Sequence, residues 1–240
     1  MERCDFLPVS AEEMHERGWW WYDALVVGGD AYVDHPSFGT AVISRVLEAE
    51  GLRVAVLAQP DWHDAEAFRA MGRPRLGVFI GAGNLDSMVA HYTAAKRRRS
   101  EDFYSPGKRT GCRPDRAAIV YCNRAREAFG PDMPIILGSL EASLRRFAHY
   151  DYWDDSVRRA ILFDAPADLL VYGMGEAATI EIARRLKKKQ SVRTMTDIPG
   201  TGYITRDPAV CKFDHITLPS FEDVRDDKRL YAEATRTEYA

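Results

Sequence analysis

The sequence predicts an α/β fold: a doubly wound, mostly parallel sheet of five strands that is Rossmann-like and carries a small C-terminal extension. Three observations lead to this fold class. Five short runs are apolar throughout, as expected of strands covered on both faces. Amphipathic segments separate most of these runs, and an alternation of strand and helix produces a parallel sheet. Glycine or proline follows each run, where the chain turns out of a strand.

The five predicted strands have apolar centres without any charged residue. In chain order they lie within DALVVGGD, RVAVLAQP, RLGVFIGAG, MPIILGS and ADLLVYGMG. Because most of them are followed by a helix, we expect their carboxyl ends to meet at one edge of the sheet.

The helices are predicted from amphipathic patterns and from residues that begin or end a helix. Ser10 and Glu13 form a capping box for a short first helix, and the aromatic run WWWY at 19–22 predicts a packing surface. The later helices lie within GTAVISRVLEAEG, NLDSMVAHYTAAKRRR, PDRAAIVYCNRAREAFG and EAATIEIARRLKKK. Their signals are Gly51 as a stop, Asn84 as an N-cap, Pro114 at a start and Gly130 at an end.

This pattern divides the chain into three parts. They are an N-terminal helix with the aromatic segment (1–22), the Rossmann-like domain (23–190) and a turn-rich extension with a charged helix (191–240). The extension contains a small hairpin at TDIPGTGYITRD and a last helix that begins at Ser220, with Asp223 three residues on. That helix has no stop signal, so we expect the chain to lead into a further domain.

Composition and charge argue against several functional classes. The net charge of -3 gives no global attraction to nucleic acid or membranes, and no apolar stretch is long enough to span a bilayer. The N-terminus lacks the apolar core of a signal peptide, and the four cysteines form no CxxC pair. These features predict a cytoplasmic protein with free thiols. The basic runs 96–99 and 187–189 are predicted as solvated faces, and the segment 98–112 as a surface loop.

Polar residues and glycines stand together where four of the strands end. In a doubly wound sheet, ligands bind in the crevice beyond the carboxyl ends of the strands, and glycines let the backbone approach a ligand closely. We therefore predict a crevice formed by Gly28, Gly29, Asp30, His35, Gly81, Gly83, Ser139, Glu141, Gly173 and Glu176. Ordinary strand-to-helix turns and helix caps are the alternative interpretation of each loop taken singly.

The absence of two common nucleotide-binding motifs argues against two kinds of cofactor site. Neither GxGxxG nor GxxxxGK[ST] occurs, which argues against an ordinary NAD site and a P-loop site. His149 and Asp151 lie in a dense aromatic and charged stretch, 138–162, which predicts either a network that orients a base or a structural network. No nucleophile motif accompanies them, so no catalytic residue is assigned.

Several long and unusual motifs carry a family resemblance. They are FLPVSAEEMHERGW, GDAYVDHPSFGTAVISRVLEAEGLRVAVLAQPDWH, GAGNLDSMVAHYT, LGSLEASLRRFAHYDYWDDSVRRAIL and ITLPSFEDV. Together they resemble the N-terminal region of the YgiQ family of radical-SAM proteins over almost all of residues 6–240. The stretches HPSFGTAVISRVLEAEGLRV, IILGSLEAS and ADLLVYGMGE are also similar to the signatures of cobalamin-binding-like domains. That wider resemblance implies the same doubly wound fold.

The resemblance implies where the chemistry of the full-length protein takes place. Family members carry CxxxCxxC in a later barrel domain, where three thiolates hold a [4Fe-4S] cluster that cleaves S-adenosylmethionine to a radical. This chain has no CxxxCxxC. We therefore expect it to hold no metal or cofactor alone, to be inactive alone, and to have the radical-SAM barrel as its partner in cis. The resemblance supplies neither a substrate nor a reaction type.

His35 invites comparison with cobalamin ligands. Cobalamin-binding domains that ligate cobalt use D-x-H-x-x-G after the first strand, whereas residues 34–39 read DHPSFG here. The acid is one residue too close to His35 and the glycine one too far. We therefore expect His35 to organise its loop and not to ligate cobalt, while cobalamin binding without a histidine ligand stays open.

Two hypotheses of different classes follow. The first is the N-terminal domain of a radical-SAM enzyme, which covers the barrel and shapes the access of substrate or cofactor. The alternative is a self-contained Rossmann-like module that binds a small anionic ligand, a corrinoid or a protein partner without catalysis. The first hypothesis predicts an exposed apolar docking surface, and the second a site that its ligand saturates.

Overall fold

A six-stranded sheet forms the centre of the computed structural model, which describes residues 6–239. Cys4 and Ala240 lie outside the described residues. The strands are, in chain order, β1 (Ala24–Gly28), β2 (Val54–Ala58), β3 (Gly77–Gly81), β4 (Ile135–Gly138), β5 (His149–Asp151), β6 (Ser156–Arg158), β7 (Leu169–Val171) and β8 (Thr201–Gly202). Strands β5 and β6 pair only with each other, as an antiparallel hairpin beside the main sheet.

The order of the main sheet is β2-β1-β3-β4-β7-β8, and every neighbouring pair is parallel except β7 with β8. The five parallel strands thus have the doubly wound order 2-1-3-4-5, whose switch point lies between the first and third strands. The predicted fold class and its five parallel strands are confirmed.

Strand β8 is an addition to the predicted five. It comes from the turn-rich segment that predicts a hairpin of its own, and it pairs with the edge strand β7, Thr201 opposite Val171 and Gly202 opposite Leu170. The backbone N–H of Tyr172 donates to the carbonyl of Gly200 at 3.0 Å and extends this pairing. The segment 191–240 therefore contributes one short strand to the sheet.

Helices cover both faces of the sheet. They are α1 (Ala11–Glu16), α2 (Gly39–Ala49), α3 (Glu66–Arg69), α4 (Ser87–His91), α5 (Ala117–Phe129), α6 (Ser139–Leu144), α7 (Glu176–Lys187), α8 (Phe221–Asp226) and α9 (Lys228–Glu238). Leu47 of α2 and Ile182 of α7 share one buried core with Val26 of β1. Tyr121 of α5 shares the other core with Leu25. Successive residues of β1 therefore enter different cores, as the alternation along a strand requires.

None of the helices within residues 6–239 has both the length and the hydropathy of a membrane span.

The helix predicted to start at Asn84 is much shorter than its sequence pattern. It begins at Ser87, because the carboxylate of Asp86 accepts hydrogen bonds from two backbone N–H groups of the first turn and acts as the N-cap. It ends at His91, after which Tyr92 is extended, with φ -130° and ψ 149°. The prediction that Asn84 caps this helix is wrong.

Two other helix boundaries differ from the prediction. Helix α5 begins at Ala117 and not at Pro114, because Arg116 has a left-handed backbone conformation with φ 52°. The single last helix is interrupted at Asp227, whose backbone is extended and whose side chain accepts from the N–H of Arg229. Asp227 thus caps a new helix, although Ser220 and Asp223 do form the predicted capping box for α8.

The segment 98–112 is not simply a surface loop. Asp102 and Ser105 are buried, and Arg113, directly after the segment, is the largest side chain that the fold buries fully. The backbone N–H of Ala31 donates to the carbonyl of Tyr104 at 2.8 Å. The segment is therefore anchored against the loop that follows β1.

Candidate functional site

A cleft of about 310 Å³ opens at the carboxyl ends of β1, β3, β4 and β7. We call it the strand-end cleft. It lies at the edge where the sequence predicts a ligand crevice, and it includes the switch point between β1 and β3. Five of the predicted residues line it: Gly81, Gly83, Ser139, Gly173 and Glu176. Their contact with a cofactor stays a prediction.

The lining of the strand-end cleft is largely apolar on the side of the sheet. Val26, Phe79, Ile136 and Val171 line the cleft and also belong to the core beneath α2 and α7. Ligand pockets commonly combine such an apolar lining with a few polar groups that fix orientation. The cleft is therefore suited to an apolar or flat group with polar atoms at one end.

The polar groups of the strand-end cleft lie where three helices begin, one of which is α6 with Ser139 as its first residue. Gly39, the first residue of α2, and Glu176, the first residue of α7, both line it. No side chain of the described residues caps α7, so its first N–H groups are available to an acceptor. Thr179 is 2% exposed and lines the cleft.

Asn84 connects the loops that follow β1 and β3. Its side-chain oxygen accepts from the N–H of Gly39 at 3.3 Å, and its amide nitrogen donates to the carbonyl of Ser37 at 2.9 Å. The residue that the sequence suggests as a helix cap therefore fixes one wall of the cleft instead.

Gly28 and Gly29 are required by close packing and do not line the cleft. A Cβ at Gly28 would lie 2.7 Å from Oγ1 of Thr40. A Cβ at Gly29 would overlap the backbone carbonyl of Ala82, because the ends of β1 and β3 approach closely here. These two glycines allow neighbouring segments to meet at the switch point.

Asp30 belongs to a buried ion-pair network outside the cleft lining. Arg113 donates to Oδ1 of Asp30 at 2.8 Å and to Oδ2 of Asp102 at 2.9 Å, and these three side chains are at most 4% exposed. The N–H of Asn84 also donates to Asp30, at 2.7 Å. Burial raises the pKa of Asp30, although the hydrogen bond from Asn84 and the charge of Arg113 act in the opposite direction.

Glu141 is likewise buried and holds two helix starts together. Its carboxylate accepts from the N–H of Ser87 at 3.0 Å and from the N–H of Ala118 at 3.1 Å. Burial, and then the nearby charge of Asp86, raise the pKa of Glu141. Both acceptor oxygens are used within the fold, so the geometry gives Glu141 a structural role.

His35 lies exposed on the loop after β1. Its Nδ1 accepts from the backbone N–H of Ser37 at 3.1 Å, and its own carbonyl accepts from the N–H of Phe38 at 2.9 Å. Asp34 is paired with Arg45 of α2. These contacts give His35 a part in the shape of its loop, and a ligand role for it stays untested.

The three cysteines within residues 6–239 do not fit an iron–sulfur cluster. Cys112, Cys122 and Cys211 are free thiols, and no group of three or more His, Cys, Asp or Glu side chains within residues 6–239 could hold a metal ion. Cys122 is fully buried, and this burial raises the pKa of its thiol, which disfavours the thiolate that a cluster requires.

A second cavity, of about 490 Å³, was not anticipated from the sequence. We call it the aromatic cavity, since Tyr92, Tyr150, Tyr152 and Trp153 are among its lining residues. All of its lining belongs to the segments 86–99 and 144–153. The basic run 96–99 and the dense stretch 138–162 are the sequence signals that could have indicated it.

His149 and Asp151 do not form the pair that would orient a base. Nδ1 of His149 lies 3.1 Å from the carbonyl oxygen of Phe147. The Asp151 carboxylate accepts from Arg116 at 2.9 Å and from the backbone N–H of Trp153 at 2.8 Å. The geometry thus favours the structural network over a base-orienting dyad.

Comparison with known proteins identifies relatives over the whole chain. The family model described as Radical SAM N-terminal matches residues 6–240. A UPF0313 protein of Clostridium botulinum strain 657 is 54% identical over 239 residues, which cover 100% of this chain and 37% of the relative. A UPF0313 protein of Clostridium perfringens strain SM101 is 52% identical and is covered to 36%. The chain thus spans little more than a third of the length of these curated relatives.

A solved structure shares the fold. The radical S-adenosylmethionine methyltransferase TsrM from Kitasatospora setae, with tryptophan substrate and a SAM analogue bound, matches with a TM-score of 0.50 and 20% sequence identity. The match covers 76% of this chain and 28% of that enzyme. At this level of identity the likeness shows the fold alone.

Proposed function

We propose, because this chain belongs to the Radical SAM N-terminal family, that it is the N-terminal domain of a longer radical-SAM protein. In that protein it covers a catalytic barrel and shapes the access of substrate or cofactor. The observation that carries the proposal is the family match over residues 6–240, in a chain that spans 37% of its relative. The substrate is not specified.

The cluster chemistry belongs, in this proposal, to the part of the protein outside this chain. A [4Fe-4S] cluster supplies the electron that cleaves S-adenosylmethionine. The free cysteines and the described acidic and histidine side chains do not form a suitable ligand set. This domain therefore contributes positioning and enclosure, with no ligand to the cluster.

Exposed apolar side chains support a docking role for the edge at which the strands end. Met174 is 92% exposed, and Tyr152, Val89 and Leu144 are also exposed. Met174 follows β7, Val89 lies in α4 after β3, and Leu144 lies in α6 after β4. Tyr152 lies in the turn between β5 and β6. Exposed apolar surface commonly marks an interaction site where it forms a large patch. Since Met174 also lines the strand-end cleft, a domain packed on this edge would enclose the cleft.

The self-contained binding module remains a second candidate because of one observation. The strand-end cleft combines an apolar lining with the uncapped start of α7 and with Thr179 of the first turn of that helix. Such a cleft suits a small ligand with an anionic or acceptor group. The two candidates differ in whether the chain associates with a catalytic domain.

The first test is anaerobic reconstitution with iron and sulfide of this chain and of the longer Clostridium botulinum relative. We expect the relative to retain a [4Fe-4S] cluster and to release 5′-deoxyadenosine from S-adenosylmethionine after reduction. We expect the chain alone to do neither. Stoichiometric cluster and S-adenosylmethionine cleavage in the chain alone would show that the chemistry is not confined to another domain.

A further inference from the structure

The geometry points to a second ligand site in the aromatic cavity, which takes a small planar molecule with an anionic group. No residue lines both this cavity and the strand-end cleft. The cavity is therefore a different site from the strand-end cleft, although Val89, Leu144 and Tyr152 line it and also belong to the proposed docking edge. The volume of the aromatic cavity, about 490 Å³, lies within the range of small-molecule sites.

Aromatic rings that are fixed in place line the cavity. The rings of Tyr92 and Trp153 have centroids 4.2 Å apart at an angle of 39°. The hydroxyl of Tyr92 donates to Asp115 at 2.7 Å, and that of Tyr152 donates to the carbonyl of Ala94 at 2.6 Å. Both tyrosine rings are thus held in place before any ligand arrives. Fixed aromatic surfaces favour the stacking of a flat molecule.

Arg99 adds a positive charge to the cavity and has no acidic partner among the described residues. Its Nε donates to the carbonyls of Val89 at 3.0 Å and Tyr92 at 3.2 Å, which fixes the side chain against the end of α4. No carboxylate within residues 6–239 pairs with it, and it lines the cavity. Its terminal nitrogens are therefore available to a carboxylate or phosphate, which arginine binds with two parallel hydrogen bonds.

The acidic side chains of the cavity are already neutralised. Asp86 is paired with Arg145, and Asp151 with Arg116 at 2.9 Å. An entering anion therefore meets compensated carboxylates and one free guanidinium. This balance favours an anion over a cation.

His149 adds a hydrogen-bond acceptor. The carbonyl of Phe147 can only accept, so Nδ1 of His149 carries the proton and donates across their 3.1 Å separation. Burial lowers the pKa of His149, which keeps the ring neutral at pH 7 and leaves Nε2 as an acceptor. A ligand with an amino or hydroxyl group on its ring suits this position.

Lys96, in the same basic run, is used within the fold. Nζ of Lys96 donates to the carbonyl of Trp153 at 2.9 Å and lies 5.0 Å from the ring centroid of Tyr152. Of the run 96–99, only Arg99 lines the cavity. This arrangement argues for one bounded small-molecule site over an extended surface for a polyanion.

Adenosine monophosphate is a suitable probe, since it joins a planar base with an amino group to a phosphate. Titration calorimetry of the full chain should show that it binds about tenfold or more tightly than adenosine, as one charge-assisted contact implies. Inorganic phosphate alone, which has no ring to stack, should bind more weakly than either. Equal binding of adenosine monophosphate and adenosine, or no measurable heat for either, would overturn the assignment.

Variants then locate the site. Arg99→Gln should reduce the affinity for adenosine monophosphate to that for adenosine, and Arg99→Lys should restore part of the difference. Trp153→Leu should weaken both ligands. Arg97→Gln, which removes a charge from the same run outside the cavity lining, should change neither. Circular dichroism checks that each variant folds, and an equal loss in Arg97→Gln and Arg99→Gln would refute a specific site.

Discussion

Arg113 connects three separate segments of the chain through its charge. It lies between Asp30, which follows β1, and Asp102, in the anchored segment before α5, and its side chain is 0% exposed. A buried ion network need not increase stability relative to an apolar core, but removal of one partner leaves uncompensated charge. The network therefore ties the loops around the strand ends to one another.

Arg113→Met should lower the free energy of unfolding by about 3–5 kcal/mol, because two buried carboxylates lose their counter-charge. Urea unfolding followed by circular dichroism measures the change. The matched control is Arg225→Met, which removes an exposed pair with Asp226 and should leave the free energy of unfolding nearly unchanged. A similar decrease in the free energy of unfolding of the two variants would show that the buried network stabilises the fold no more than an exposed ion pair does.

The junction of β1 and β3 depends on the glycine at position 29, whereas the glycine at position 39, at the start of α2, could be replaced by a residue with a side chain. Gly29 faces the carbonyl of Ala82, a backbone atom that cannot rotate away, whereas a Cβ at Gly39 would meet nothing within 4 Å. The same chemical change therefore has opposite consequences at the end of β1 and at the start of α2.

Gly29→Ala should lower the free energy of unfolding by about 3 kcal/mol or more, since neighbouring strand ends must separate. Gly39→Ala should leave stability unchanged or raise it by about 0.4–1 kcal/mol, through a less flexible unfolded chain. Thermal and urea unfolding of both variants provide the measurement. A neutral Gly29→Ala would contradict the close approach of β1 and β3.

Local pattern predicts strands well and helix boundaries less well in this chain. The five parallel strands are apolar in their own sequence, so each is visible without knowledge of its neighbours. Helix α4 stops early because Tyr92 and His91 both turn to Asp115, a partner distant in sequence. Asp227 could have been recognised, since aspartate is a preferred N-cap, but the charged pattern continues across it.

The sequence predicts where the candidate site lies but not which side chains contact one another there. Strand-end glycines indicated the edge at which the cleft lies, and five of the named residues line it. The sequence alone groups Asp30 and Glu141 with the residues that line the cleft, because polar residues after strands look alike in sequence. Their buried partners, Arg113 and the N–H of Ala118, belong to remote segments. The aromatic cavity was missed because two such segments form it.

The molecule as a whole combines a complete doubly wound sheet with an exposed apolar edge. Its buried cores lie on both faces of the sheet, while Met174 after β7 and Val89 after β3 remain exposed. The relatives continue well beyond the matched region, since 37% of the first is covered. These facts agree with the proposal that another part of a longer protein packs on the exposed edge.

Association of this chain with the separately produced remaining part of the Clostridium botulinum relative tests that claim most directly. Analytical ultracentrifugation should show a one-to-one complex that Met174→Glu weakens by about tenfold or more, as loss of a central apolar contact does. Ile216→Glu, a matched change at an exposed residue outside the strand-end segments, should leave the affinity unchanged. Absence of a complex, or equal weakening by both variants, would contradict docking through the strand-end edge.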